Sequence, residues 1–171
     1  DRIQVCTEVF LKRRFAALIH FRYNKTTRSY RTSLDIQKNE KDFVSIKFDT
    51  GATNTIITTG ALGFDDVQTS VLLKNIQEGR LKPKKFTSAS GNTFMGYPCY
   101  CDNLKIGNVL LKRFYYYIVL HNNPKALLGD DFICCCTFSH SFKSDIIVTA
   151  FHSEEYEQQC GYHADSIDVF Q

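Results

Sequence analysis

The chain has 171 residues, 43% of them hydrophobic, which suits one domain with a substantial core. A net charge of +3 is too small to imply nucleic acid, and no run of about 18 apolar residues offers a membrane span. Trp is absent, but 14 Phe and 9 Tyr suit a strand-rich fold.

The first 25 residues contain VFLKRRFAALIHFRYN, a mixed apolar and basic run that periodicity leaves open between helix and outer strand. Arg28 to Ile36 reads as extended, and Asn39-Glu40-Lys41-Asp42 as a turn. Phe43 to Phe48, FVSIKF, alternates and is β-branched or aromatic enough for a strand. A loop holding Asp49 follows, then a short strand over Thr55 to Thr58. Ser70 is placed to cap a helix over VLLKNIQEG that Gly79 stops. Lys82-Pro83-Lys84-Lys85 reads as a solvated turn.

Lys85 to Tyr97 predicts a hairpin with Ala89-Ser90-Gly91-Asn92 at its tip. Two or three strands follow, turning at Asp102-Asn103 and Gly107-Asn108. Asn122-Asn123-Pro124 turns the chain into ALLGDDFI, where a short helix starts at Asp130, since acids favour the first turn. DIIVTAF is the last strong strand, and from His152 onward the chain is polar and irregular.

Seven cysteines are present: Cys6, Cys99, Cys101, Cys134, Cys135, Cys136 and Cys160. Three consecutive residues fan out by about 100° each on a helix and cannot grip one metal ion. Cys99 and Cys101 would share a strand face with Cα atoms about 6.6 Å apart, near the upper limit for a disulfide. The cysteines read as reduced, packed thiols, which points to a reducing, cytoplasmic compartment and to no metal. No signal-peptide pattern is visible, and a start at Asp1 rather than Met is expected of a processed or trimmed chain.

Two landmarks carry chemistry. Asp49-Thr50-Gly51-Ala52 follows an apolar strand, and Leu127-Leu128-Gly129 comes about 75 residues later, with the small-tipped hairpin between them. Over roughly Phe43 to Ile133 the chain resembles the retropepsin-like aspartic proteases, the single-domain relatives of pepsin. LLGDDFI looks closer to the cellular and bacterial branch than to the retroviral one. The resemblance implies a mainly β, closed-barrel acid-protease fold with a flap hairpin and one or two short helices. It divides the chain into an N-terminal extension (1–42) packing on the core, a catalytic domain (43–151) and a C-terminal tail (152–171).

Peptide hydrolysis by water needs a base for the water and an acid for the carbonyl oxygen and the leaving amine. Two carboxylates sharing one proton perform both tasks. This chain has a single Asp-Thr-Gly, and Asp130-Asp131 reads as a pair of helix-start acids. The resemblance therefore implies a homodimer in which Asp49 of each copy completes the dyad, acting on a peptide or protein with no cofactor.

The same resemblance implies roles for the neighbours. Thr50 braces the two loops, Gly51 admits close backbone approach, and Ala52 leaves room for the substrate. Thr53, Asn54, Ile56 and Leu127 line the cleft, and Ala89, Ser90 and Gly91 form the flap tip. Gly129 lets the second loop pack on the first. Retroviral enzymes carry Arg-Asn after that Gly, whereas Asp130-Asp131 stands here, so the dimer contacts must differ. The rival readings are a catalytically inactive dimerisation or peptide-binding module, a thiol sensor on Cys134–Cys136, and a Ser/His or Cys/His hydrolase. No His sits beside a nucleophile motif.

Overall fold

The computed structural model describes residues 3–5, 18–36, 43–140, 145–151 and 166–169. Alternation sets the central strand, β4 (Phe43–Phe48). Val44, Ile46 and Phe48 are buried, while Phe43, Ser45 and Lys47 occupy the opposite face. Before it run β1 (Ile3–Val5), β2 (Ile19–Asn24) and β3 (Ser29–Asp35). After it come β5 (Ile56–Thr58), β6 (Lys84–Thr87), β7 (Thr93–Ile106), β8 (Val109–Val119) and β9 (Ala126–Leu128). The last strands are β10 (Cys136–His140) and β11 (Ile146–Phe151). Among the described residues three helices intervene: α1 (Thr59–Leu62), α2 (Asp66–Gln77) and α3 (Asp130–Ile133).

Six strands close into a mixed barrel in the order β3, β4, β9, β5, β8, β7 and back to β3. The β4–β9 and β5–β8 ladders are parallel, and the other four are antiparallel. Closure removes the open edges from these six strands. The β2, β11 and β10 strands extend the sheet from β3, while β6 extends it from β7. Thus β3, within the span expected to be an extension, is one of the six barrel strands.

The interior holds Leu34, Ile46, Ile57, Ile106, Phe114 and Phe132, each fully buried. Burying each such side chain stabilises by roughly 1.5–3 kcal/mol. Phe21 of β2 meets Phe48 edge-on, with ring centroids 5.1 Å apart, and so seats β2 against the core. Outside, His20 Nε2 lies 2.8 Å from Asp145 Oδ2 and ties β2 to the approach to β11. This bond holds the Asp145 carboxyl below its ordinary range.

Two local expectations are corrected. The helix expected after Ser70 begins at Asp66 instead, because Asp65 and Gln68 form a reciprocal capping box that satisfies two backbone donors. Asp102-Asn103 does not turn the chain, and β7 runs through it. Asn103 takes a φ of 56° within the strand, and Asp102 is held across the ladder by Arg113 at 2.7 and 3.2 Å. The turn at Gly107-Asn108 does join β7 to β8. Gly107 has a φ of 57°, and a Cβ there would press on the backbone of Leu18 and Ile19.

The expected turn at Asn39 to Asp42, Cys6 and Cys160 lie outside the described residues, as does most of the N-terminal apolar and basic run. Beyond His152, Ile167 forms a parallel bridge with Cys99 of β7.

Candidate active site

Asp49 leaves β4 where that strand runs parallel to β9, with Lys47 opposite Leu127 and Phe48 opposite Leu128. Its N–H donates to Leu128 O at 3.0 Å, which anchors the start of the loop. Asp49 Oδ1 accepts the Gly51 N–H at 3.0 Å, and Asp49 O accepts the Ala52 N–H at 3.2 Å. The carboxylate is thus turned back over its own loop and remains partly exposed.

A second loop, from Gly129 into α3, is stitched onto the first. Asp130 N–H donates to Ala52 O at 2.7 Å, and Asp131 N–H donates to Thr53 O at 3.2 Å. Gly129 lies so close to the Asn54 backbone that a Cβ would overlap it. The buried Thr55 is the hub. Its N–H and Oγ1 donate to the two oxygens of Asp131 at 2.9 and 2.7 Å, while Oγ1 accepts the Gly129 N–H at 3.2 Å. Burial pushes the Asp131 carboxyl above its ordinary range, and the bonds from Thr55 pull the other way.

Beside this crossing the outer face of the sheet is apolar. Ile56, Phe86, Tyr117 and Val119 form a buried cluster with Phe94 against it. Phe86 stacks on Phe94 at 5.5 Å between centroids and meets Tyr117 edge-on at 5.3 Å. The β6–β7 hairpin is therefore seated by its base on β5 and β8. Its tip is held only locally, by Ser88 N–H to Asn92 O at 2.8 Å and Gly91 N–H to Ser88 O at 2.9 Å.

No protein-family model and no curated protein matches this chain. The crystal structure of a retropepsin-like aspartic protease from Rickettsia conorii does match, with a TM-score of 0.51 and 21% identity. The match covers 76% of this chain and 88% of that one. This chain has the retropepsin-like fold. The retroviral protease-like domain of Ddi1 from Leishmania major is a more distant likeness. It has 10% identity, a TM-score of 0.37, and coverage of 72% of this chain and 94% of that one.

Within this retropepsin-like barrel the residues singled out from sequence fall into two groups. Asp49, Thr50, Gly51, Ala52, Thr53 and Asn54 share the first loop, with Ile56 and Leu127 on the adjoining ladder. Ala89, Ser90 and Gly91 are exposed at the hairpin tip, and nothing lies within 4 Å of a Cβ built on Gly91. The helix-start reading of Asp130-Asp131 holds for position, since both acids lie in the first turn of α3. It misses that Asp131 is buried against Thr55.

Two lysines were also missed. Lys47 Nζ lies 3.8 Å from Asp49 Oδ2. Lys84 Nζ donates to Asn54 Oδ1 at 2.7 Å and lies over the Phe86 and Tyr117 rings at 5.5 and 5.6 Å. The signal for Lys47 was available: in a strand of period two, a residue two places before Asp49 shares its face.

Proposed function

We propose that the chain is an aspartic endopeptidase whose water-activating dyad is formed by Asp49 from two identical chains. The observation that carries this reading is the partly exposed Asp49 carboxylate, held on the loop crossing by the Gly51 N–H. Both oxygens of Asp131 are engaged by Thr55 inside the crossing. Asp130, though exposed, belongs to the first turn of α3, so the catalytic partner of Asp49 is taken from a second copy on a twofold axis.

Two carboxylates at close range cannot both ionise, so the pair holds one proton. The ionised member takes a proton from water as the water attacks the peptide carbonyl. The protonated member donates to the carbonyl oxygen, and a proton then passes to the leaving nitrogen. Gly51 fixes the carboxylate through its N–H, and Thr50 braces one loop against the other. Ile56 and Leu127, with Thr53 and Asn54, line the floor beneath the substrate. The hairpin tip at Ala89, Ser90 and Gly91 closes over a peptide that lies as an added strand.

The barrel and this loop crossing support 43–151 as the catalytic unit, with β3 completing its wall. No helix among the described residues is long and apolar enough to cross a membrane. The buried thiols of Cys99 and Cys135 are in keeping with the cytoplasmic setting expected from sequence.

The test is peptide cleavage by wild type, by Asp49→Asn, and by mixtures of the two. Asp49→Asn is expected to be inactive yet folded, and an excess of it should poison wild type through mixed dimers. Specific activity should fall on dilution as pairs separate. Wild-type rates from Asp49→Asn, or activity unchanged where sedimentation shows only monomer, would overturn the shared dyad.

A further inference from the structure

Three basic side chains stand in one row across three neighbouring strands. Arg22 of β2 is in register with Arg31 of β3, and Arg31 is in register with Lys47 of β4. Directly opposed residues share a face with Cβ atoms roughly 4.5–5.5 Å apart, and like charges there repel. The fold gains nothing internally from such a row. Beyond Lys47 the same row continues through Leu127 and Ile56 to Tyr117. The cationic stretch and the apolar floor of the candidate cleft are therefore one strip, with Lys47 at the junction beside Asp49.

The chain neutralises this row only in part. Arg31 Nε donates to Ser29 Oγ at 2.8 Å and Thr27 Oγ1 at 3.3 Å, and Nη1 donates to Ser45 O at 3.5 Å, all neutral acceptors. Among the described residues no ion pair involves Arg22 or Arg31. Asp145 is close enough to feel Arg22, but its carboxylate is engaged by His20 at 2.8 Å and the Tyr23 N–H at 3.2 Å. Beside the row lies an open groove of about 520 Å³, where His20 and Lys105 join Arg22 and Arg31, with Asp35 as the carboxylate among its lining residues.

We propose that this row binds an acidic stretch of the polypeptide substrate, flanking an apolar segment held over Ile56 and Tyr117. The proposal rests on the cleft reading above and names its substrate class. Alternate side chains of an extended peptide point the same way about 6.6 Å apart, and three strands span roughly 10 Å, so two carboxylates can reach the row. In a paired molecule the row occurs twice, once on each copy. Partly exposed charge pairs are each worth a few-fold in affinity, so the row should yield about a tenfold preference, weakened by salt.

The experiment measures binding to Asp49→Asn, so that the peptide survives. Two fluorescent peptides share an apolar centre; one carries Asp at alternate flanking positions and the other carries Asn there. The Asp peptide should bind about tenfold tighter at low salt, with the gap closing near 1 M salt. Lys47→Met combined with Arg31→Gln should shrink the gap to about twofold, and Lys47→Glu should favour a Lys-flanked peptide. Equal affinity for the Asp and Asn peptides, including no measurable affinity for either, overturns the proposal. So does a preference that survives the double variant. If the Asp peptide is preferred but wild type cleaves neither peptide, the acidic-substrate row stands and the protease reading falls.

Discussion

The Asp131 carboxylate takes both hydrogen-bond donors of Thr55, backbone and hydroxyl, at 2.9 and 2.7 Å. One buried acid thereby locks α3 onto the loop that carries Asp49. Because burial raises its folded-state pKa, the folded chain holds the proton more firmly than the unfolded chain does. The cost of burying its charge is absent below the unfolded value and grows as pH rises through the folded one. Asp131→Asn removes the charge and keeps an acceptor for Thr55. It is expected to lose the wild type's fall in stability between pH 4 and 7, although its amide nitrogen, set against a donor, forfeits one of the bonds. Asp131→Ala leaves the Thr55 N–H unpaired and should cost about 1–3 kcal/mol. Denaturant titrations of the three proteins at pH 4 and 7 read both effects.

Gly129 and Gly51 should separate stability from chemistry. A Cβ on Gly129 overlaps the Asn54 backbone, which cannot step aside. Gly129→Ala should therefore destabilise by about 1–3 kcal/mol as the two loops are pushed apart. A Cβ on Gly51 meets only Asp49 Oδ1, at 3.2 Å. Gly51→Ala should stay within about 0.5 kcal/mol of wild type while cleavage falls about tenfold or more, because the carboxylate tilts. Thermal unfolding and kcat/KM on the same samples decide the point.

At the hairpin tip Gly91 has a φ of 86°, which a β-branched residue adopts only with strain. Gly91→Val is expected to slow turnover more than it lowers stability. Amides at residues 88–93 should exchange quickly in the free chain and become protected by a peptide-like inhibitor. Slow exchange there, unchanged by inhibitor, would remove the flap.

The thiols should be bystanders. Cys99 and Cys135 are buried, and Cys134 is exposed. Burial pushes the Cys99 and Cys136 thiols above their ordinary range, and partial desolvation moves the exposed Cys134 the same way, so little thiolate is present at neutral pH. Iodoacetamide should label these described thiols slowly, Cys134 first, without loss of peptide cleavage. Site-resolved mass spectrometry tracked against activity checks this. Inactivation in step with labelling would hand the chemistry to sulfur.

The strands that sequence located best are those where one face is buried. FVSIKF places its inward and outward sides directly, and the apolar-apolar-Gly landmark fixes β9 beside it. Local signals misled where a competing bond existed nearby. The Asp65–Gln68 box outweighed Ser70, and the Arg113–Asp102 pair kept β7 straight through an Asn-containing turn signal. Long-range relations were not legible. Nothing in the run from Arg28 to Ile36 announces that β3 closes the barrel against β7, because closure depends on register between distant strands. The partnership of Thr55 with Asp131 was hidden for the same reason, and the row of Arg22, Arg31 and Lys47 exists only once three strands are aligned.

The parallel pairing of β4 with β9 joins residues roughly eighty positions apart, whereas the β6–β7 and β7–β8 pairs are hairpins closed by short turns. Hairpins form early, and distant pairings wait on the loss of chain entropy that brings their ends together. During synthesis, at about 5–20 residues per second, the hairpins can assemble while β9 is still unmade. Asp49 then hangs on a loop with no Leu128 carbonyl to anchor it and no Asp131 to bind Thr55. A growing chain would carry its acid for several seconds without the means to use it, and a truncation ending before Leu128 should keep the hairpins while losing the loop crossing.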